Sequence, residues 1–460
     1  MKVFMLGWEF PPFISGGLGT ACYGLTKAMD KLGLEVTFVL PKSVDTGYTE
    51  HLRLLSPSSL KDGLSRTSGD YNRQVDRVFK ENGFSNVSFR YINSALRPYS
   101  SPESYSQYIN KLIRRKRENQ LGSSSLDGQG GFLQGEEFSD FGDVGDGGYG
   151  GDMYTEVRRY AALAVELASQ EEFDIIHIHD WMTYPAGISV AAATGKPLIA
   201  HIHSTEFDRS GENVNQMIYE IERSGMQYAD KVIAVSGWTK KIVEEKYDID
   251  PEKVEVVHNG IDKQNKDLFP AEKLIKGNEK IILFLGRITM QKGPEYFLQA
   301  AKRVLEVRDD VKFVMAGSGD MMYRMIEMAA GMGIGNKVVF TGFLRGESLN
   351  KIYRMADLFV MPSVSEPFGI VPLEALDNDV PVIISKQSGV AEILKHALKV
   401  DFWDTDEMAN KILAVLKYQP LRVTLQNHGN FEIRKLSWTD TALNCMRIYE
   451  KHLAAVRTIN

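Results

Sequence analysis

The sequence predicts an α/β protein made of two doubly wound domains with parallel sheets. Its 460 residues exceed what one hydrophobic core usually holds, so two domains of about 200 residues each are expected. Short apolar runs typical of buried parallel strands alternate with segments of helical periodicity in both halves of the chain. Two such series predict two sheets that face each other across a cleft, with ligands at the carboxyl ends of their strands.

The predicted strands form one series in each half of the chain. In the first half they cover residues 3–6, 35–40, 174–178, 197–202 and 231–235. In the second half they cover residues 280–285, 312–316, 337–341, 357–361 and 380–385. A polar stretch rich in Lys and Asn separates the two series. We therefore expect an N-terminal domain at 1–262, a C-terminal domain at 263–436 and a terminal helix at 437–460 that crosses back to the first domain.

One segment interrupts this alternation, at residues 121–152. Gly, Ser and Asp dominate it, and it contains too few aliphatic residues to support a core of its own. This composition predicts a flexible insertion. The alternative is that its scattered aromatic residues stack on a bound glycan.

The bulk composition is that of an ordinary soluble globular protein. Hydrophobic residues make up 43%, charged residues 25%, and the formal net charge is −6, so a nucleic-acid partner is not expected. Cys22 and Cys445 have no metal-type spacing and suit a reducing compartment. No apolar run approaches the roughly 18 residues of a spanning helix. We expect a cytoplasmic protein without stable membrane insertion, and the sequence leaves an oligomer open.

The segment after the predicted strand 357–361 carries the sequence E-P-F-G-I-V-P-L-E. Pro372 marks the first turn of a helix. Three amides at this helix start would point at a ligand: those of Phe368, Gly369 and Ile370. Such amides favour anionic or hydroxyl-rich groups, and Glu366 and Glu374 add acceptors for sugar hydroxyls. The segment therefore predicts a site for a phosphorylated sugar.

A glycine cluster, Gly16-Gly17-Leu18-Gly19, opens the first predicted helix. Glycines permit close approach of a ligand, and exposed amides at a helix start hold phosphate. Neither this cluster nor Gly317-Ser318-Gly319 completes the G-x-G-x-x-G pattern of dinucleotide-binding proteins. Hydride transfer is therefore disfavoured.

Arg287 and Lys292 follow the predicted strand 280–285. A leaving nucleoside diphosphate gains negative charge as its bond to the sugar breaks, and two fixed cations stabilise it without a metal. Taken alone, the pair is more typical of surface cations.

Two His-x-His pairs end neighbouring predicted strands: His177 and His179, followed by Asp180, and His201 and His203. Alternation places each pair on one face of the sheet, which makes a zinc hydrolase a rival interpretation. Further ligands at a coherent spacing are not evident in the sequence. No metal site is therefore predicted, and core histidines account for His177 and His201.

In their order along the chain, the glycine cluster, the Arg/Lys pair and the paired glutamates resemble retaining glycosyltransferases with the GT-B fold, which has two Rossmann-like domains. The opening G-W-E-F-P-P-F-I-S-G-G-L-G, the H-D-W run and the segment S-K-Q-S-G-V-A-E are most similar to glycogen and starch synthase-type enzymes. Ile14 departs from this pattern, because bacterial glycogen synthases that use ADP-glucose carry a lysine there.

The resemblance implies a role for each motif. The Gly16 and Gly17 amides, with Arg287 and Lys292, would hold the diphosphate. Glu374 would bind the ribose. Glu366 and His203 would contact the sugar, and Asp180 would lie near the acceptor side.

The implied reaction moves glucose from UDP- or ADP-glucose to an α-1,4-glucan, with retention, by front-face attack and without a cofactor or metal. Another retaining transferase, making a disaccharide or a lipid-linked or surface glycan, is the alternative. A sugar-binding or regulatory protein on the same fold is a third hypothesis.

Overall fold

The computed structural model describes residues 1–10, 16–41, 84–92, 151–261 and 279–459. The predicted flexible insertion lies outside the described residues, apart from positions 151 and 152, which begin a helix. Ile14 and the polar stretch between the two domains also lie outside them.

Among the described residues, the first half of the chain forms a seven-stranded parallel sheet in the order β3-β2-β1-β4-β5-β6-β7. Its strands are β1 Lys2–Leu6, β2 Glu35–Pro41, β3 Val87–Ile92, β4 Ile175–His179, β5 Leu198–Ile202, β6 Lys231–Ala234 and β7 Val254–Val256. The five predicted strands are present, and β3 and β7 are additional. β7 was missed because only three residues belong to it.

The described part of the second half forms a six-stranded parallel sheet in the order β10-β9-β8-β11-β12-β13. Its strands are β8 Lys280–Leu285, β9 Val311–Ala316, β10 Val338–Gly342, β11 Leu358–Met361, β12 Val382–Ser385 and β13 Leu398–Val400. Here β13 is the additional strand. The predicted fold class, two doubly wound parallel-sheet domains, is confirmed.

Helices connect the strands on both faces of each sheet. With the first sheet come α1 Gly17–Lys31, α2 Gly151–Ala168, α3 Tyr184–Thr194, α4 Glu206–Ser210, α5 Gln216–Tyr228 and α6 Gly237–Tyr247. With the second come α7 Pro294–Leu305, α8 Met322–Gly331, α9 Gly346–Met355, α10 Ile370–Asp377, α11 Val390–Ile393, α12 Thr405–Lys417 and α13 Gln419–Ile433. The last helix is α14 Trp438–Ile459. No helix in the described ranges is both long and apolar enough to span a bilayer.

The central strands are buried on both faces, as covered parallel sheets require. All five residues of β4 and all five of β5 are buried. In each sheet the strand order reverses once, between β1 and β4 and between β8 and β11. Ligands of doubly wound folds bind at such a switch point, beyond the carboxyl ends of the strands.

Helix α14 packs against the first domain although it follows the second in sequence. Its residues Trp438, Ala442, Cys445 and Tyr449 belong to the same hydrophobic core as β1 and β4. The Trp438 ring occupies the space that a side chain at Gly24 of α1 would need. The Thr441 hydroxyl also donates to the backbone oxygen of His258, at 2.8 Å. The helix therefore ties the end of the chain to the first sheet.

Candidate active site at the domain junction

Lys292 and Glu366 meet beyond the carboxyl ends of the adjacent strands β8 and β11. Lys292 Nζ donates to Glu366 Oε2 at 2.5 Å, and the two side chains are 19% and 11% exposed. The Ser363 hydroxyl donates to the same carboxylate oxygen at 3.3 Å. The structure thus places in one ion pair two residues that the sequence assigned to different parts of a ligand.

A buried glutamine links Arg287 to the segment that carries Glu366. Arg287 Nη2 donates to Gln291 Oε1 at 3.1 Å. The backbone oxygen of Gln291 accepts from the Val364 amide at 2.9 Å. Gln291 is 4% exposed, and the sequence analysis did not identify it, because a glutamine between two cations carries no distinctive pattern. It holds the guanidinium next to the glutamate loop.

The backbone around Glu366 is held by the loop that follows β12. The Glu366 amide donates to Gln387 O at 2.9 Å, and the Gly389 amide donates to Glu366 O at 2.9 Å. Gly369 has φ 105°, a left-handed conformation that favours glycine, and α10 begins directly after it at Ile370. The Phe368 side chain is 3% exposed and packs in the core. Only its backbone is therefore available to a ligand.

Glu374 lies in the second turn of α10 and faces a cavity between the domains. The cavity is also lined by Ile370 and Asp377 of α10 and by Thr20 and Tyr23 of α1. The Tyr353 hydroxyl donates to Glu374 Oε2 at 2.8 Å. Burial raises the pKa of the Glu374 carboxyl, and the Tyr353 hydrogen bond opposes that rise. Glu374 therefore faces the cavity from the second domain, and its carboxylate is held in place by Tyr353.

The first domain contacts the residue on each side of Glu366. The Ser365 hydroxyl donates to Asp208 Oδ1 at 2.5 Å and accepts from Trp238 Nε1 at 3.3 Å. The hydroxyls of Ser236 and Thr239 both donate to the backbone oxygen of Pro367. None of these contacts was predicted, because each joins residues more than 120 positions apart in sequence. The position of Glu366 thus depends on how the two domains meet.

On the first sheet, the two histidine pairs converge. The parallel register places His179 opposite His201. His179 Nδ1 and His203 Nε2 share a hydrogen bond of 2.9 Å, and His177 Nε2 and His201 Nδ1 share one of 3.2 Å. Burial lowers the pKa of all four imidazoles, that of His203 to about 3. The cluster is therefore neutral at pH 7.

The Asp180 side chain hydrogen-bonds the backbone that follows β5. It has φ 56° and is 4% exposed. Its Oδ1 accepts from the amides of His203, at 2.7 Å, and Ser204, at 3.4 Å. Burial raises the pKa of its carboxyl to about 7. The structure therefore shows the carboxylate engaged with the backbone that carries His203.

The glycine cluster forms the turn at the start of α1. The carboxylate of Glu9 is bound in this turn. Glu9 is fully buried, and its Oε2 accepts from the Gly19 amide at 2.9 Å. A side chain at Gly16 would collide with this carboxylate. A side chain at Gly17 would meet open space beyond the local backbone. Glu9 was not predicted from the sequence. The space left for a ligand lies on the Gly17 side of the turn.

Known proteins share this architecture. The structure of Anabaena HepE in complex with UDP and glucose has a TM-score of 0.65 with 16% sequence identity, over 98% of this chain and all of that one. Three family models match successive parts of the chain: Glycosyl transferases group 1 at residues 265–430, Glycosyltransferase Family 4 at 149–265, and the starch synthase catalytic domain at 2–106. The chain is a GT-B glycosyltransferase.

Curated relatives extend the comparison to sequence. This glycosyltransferase is 29% identical over 467 residues to an uncharacterized glycosyltransferase of Methanocaldococcus jannaschii, covering 98% of each chain. It is 28% identical over 315 residues to the D-inositol 3-phosphate glycosyltransferase of Salinispora tropica, covering 62% of this chain and 65% of that one. These similarities agree with a transferase whose motifs span both domains.

Proposed function

We propose that the protein is a retaining, metal-independent hexosyltransferase that moves glucose from UDP- or ADP-glucose to an α-1,4-glucan. The contact of Lys292 Nζ with Glu366 Oε2 at the switch point of the second sheet carries this proposal. It sets a cation for a leaving phosphate beside a carboxylate for sugar hydroxyls, in a largely buried setting where both act strongly.

The donor lies across the second domain in this proposal. Arg287 and Lys292 contact the diphosphate, the Gly17 side of the α1 turn adds amides, and Glu374 accepts hydrogen bonds from the ribose. The geometry that supports this is the cavity lined by Glu374 together with Thr20 and Tyr23 of the first domain. A ligand there is enclosed by both domains.

The reaction proceeds on one face of the sugar. The bond between the anomeric carbon and the diphosphate oxygen breaks, and the acceptor oxygen bonds to the same face of that carbon. The acceptor's hydroxyl proton passes to the leaving phosphate oxygen. Lys292 and Arg287 stabilise the charge that grows on the leaving group, and Glu366 orients the sugar.

One guanidinium and one ammonium group, those of Arg287 and Lys292, are the reason to propose metal independence. Mg²⁺ and Mn²⁺ serve diphosphate chemistry through carboxylate and phosphate oxygens. Here protein cations supply the same charge, so adding either ion should leave the rate of nucleotide release unchanged. A severalfold increase with either ion would contradict this part of the proposal.

The acceptor has two candidates. The match of residues 2–106 to the starch synthase catalytic domain model supports a glucan. The similarity to D-inositol 3-phosphate glycosyltransferases favours a small phosphorylated acceptor as the second candidate.

Release of the nucleoside diphosphate tests the proposal. UDP-, ADP- and GDP-sugars would each be incubated with glycogen, with short maltooligosaccharides and with inositol phosphate, and Glu366→Gln, which should be slower, would serve as the comparison variant. We expect release from a glucose donor to rise with glucan. A rise with inositol phosphate alone would select the second candidate. An inverted anomeric configuration in the product's NMR spectrum would exclude the retaining mechanism, and no release under any condition would remove the proposal.

A further inference from the structure

We propose that His177, His179 and His201 bind one divalent d-block cation of the Zn²⁺ class at the carboxyl ends of β4 and β5. One ring nitrogen from each of these buried residues lies within 4.8 Å of the others. This site is separate from the diphosphate position and does not depend on the proposed transferase reaction.

The backbone brings the three rings together. His177 and His179 lie on one face of β4, because side chains two positions apart on a strand share a face. The parallel register then sets His201 of β5 opposite His179. Ring centroids are 4.5 Å apart for His177 and His179, 5.2 Å for His177 and His201, and 5.4 Å for His179 and His201.

Two of the nitrogens lack any hydrogen-bond partner within the part of the chain that the structure describes. They are Nε2 of His179 and Nε2 of His201, and the two residues are at most 1% exposed. A buried polar atom left unpaired lowers the stability of the folded state. A cation would satisfy both lone pairs at once.

In His177 and His179, the ring nitrogen that would not bind the ion already has a hydrogen-bond partner, as is usual in metal sites. The Tyr449 hydroxyl hydrogen-bonds His177 Nδ1, and His203 Nε2 hydrogen-bonds His179 Nδ1. Such second partners fix the tautomer and aim the remaining nitrogen at the ion.

The ligand set selects the ion. Imidazole nitrogens suit Zn²⁺, Ni²⁺ and Cu²⁺, whereas Mg²⁺ and Ca²⁺ prefer oxygen. At Zn–N bonds of about 2.0–2.1 Å, tetrahedral ligands stand about 3.4 Å apart. The His177 and His201 rings are already in contact, with 3.2 Å between His177 Nε2 and His201 Nδ1. Ring rotations would bring the Nε2 atoms of His177, His179 and His201 to the ligand spacing. The bound ion would join β4 to β5 beside Asp180.

The test uses the untagged full-length protein, expressed with zinc in the medium and dialysed before metal analysis by mass spectrometry. We expect about one equivalent of metal in the wild type and its loss in His201→Asn. The matched control is the double variant His396→Asn/His428→Asn, which removes a stacked surface pair with ring centroids 4.6 Å apart. That variant should keep its metal.

A second measurement does not depend on a folded variant. Stripped wild-type protein would be titrated with Co²⁺, whose tetrahedral imidazole complexes absorb strongly in the visible, and its melting temperature would be followed with added Zn²⁺. We expect a visible band and a rise in melting temperature, since a ligand that binds only the native state stabilises it. Background metal content without a band, or metal lost only in the His396/His428 variant, would overturn the proposal.

Discussion

Lys292 Nζ lies 2.5 Å from Glu366 Oε2, so the two side chains neutralise each other at the junction of the domains. The partners are 74 positions apart in sequence and follow adjacent strands. A bound diphosphate would compete for the ammonium and leave the carboxylate to sugar hydroxyls. The ion pair therefore connects donor binding to the orientation of the reacting sugar.

Lys292→Ala should lower kcat by about a hundredfold, the scale of losing one electrostatic contact that forms with the transition state. Steady-state kinetics at saturating acceptor would measure it. Lys351→Ala is the matched control, because it removes a lysine from an exposed pair with Glu347 at 2.8 Å. Equal rates for the two variants would show that Lys292 does not stabilise the leaving group.

Glu366 and Glu374 should separate kinetically. Glu366→Gln should mainly lower kcat, because this carboxylate lies beside Lys292 at the leaving group. Glu374→Gln should mainly raise the donor KM, because a ribose contact acts equally in the ground and transition states. Kinetics of both variants, with Glu347→Gln as control, would decide. If both variants raised KM alone, Glu366 would be a binding group only.

Ser365→Ala should lower kcat by about five- to tenfold, the equivalent of about 1 kcal/mol for a lost hydrogen bond. The variant keeps the Glu366 side chain but removes the link to Asp208 across the domains that helps to position it. A double-mutant cycle with Asp208→Asn would measure the coupling, which should be about 1 kcal/mol for a direct contact. Ser169→Ala, at the exposed end of α2, is the control. Additive effects would show that the contact does not position Glu366.

The Glu374 carboxyl should make stability depend on pH. Burial raises its pKa above the unfolded value of 4.5, so the folded protein retains a proton that the unfolded chain has lost. This stabilising contribution is complete below pH 4.5 and is lost as pH rises through the folded pKa. The melting temperature of the wild type should therefore fall relative to that of Glu374→Gln as pH rises from 4 to 8. The opposite trend would show that the carboxylate is stabilised when charged.

Tyr353→Phe should strengthen the dependence of stability on pH that the Glu374 carboxyl causes. The Tyr353 hydroxyl favours the charged form of Glu374, so its loss should raise the folded pKa further and increase the donor KM. Melting curves and donor kinetics of Tyr353→Phe and Tyr323→Phe would be compared, since Tyr323 is 82% exposed. Identical behaviour of the two variants would mean that Tyr353 does not tune the carboxylate.

Sequence by itself determined the α/β class and ten of the strands, because a strand buried on both faces is a local run of apolar residues. It also placed the candidate groups, since glycines, cations and glutamates directly after such runs lie at strand ends. Local pattern missed three strands, of which β3 has six residues and the other two are short. The three-residue strands β7 and β13 are specified by the neighbouring strand that pairs with them.

Only the tertiary structure decided which of those groups meet. The pairing of Lys292 with Glu366, the bond from Ser365 to Asp208 and the insertion of Glu9 into the α1 turn each depend on strand order or on the contact between domains. The same holds for the histidines. Each His-x-His pair is visible in the sequence, but their convergence requires β4 and β5 to be neighbours in one register. Alternation along a strand is a property of the local backbone, whereas contact between strand ends is a property of the whole sheet.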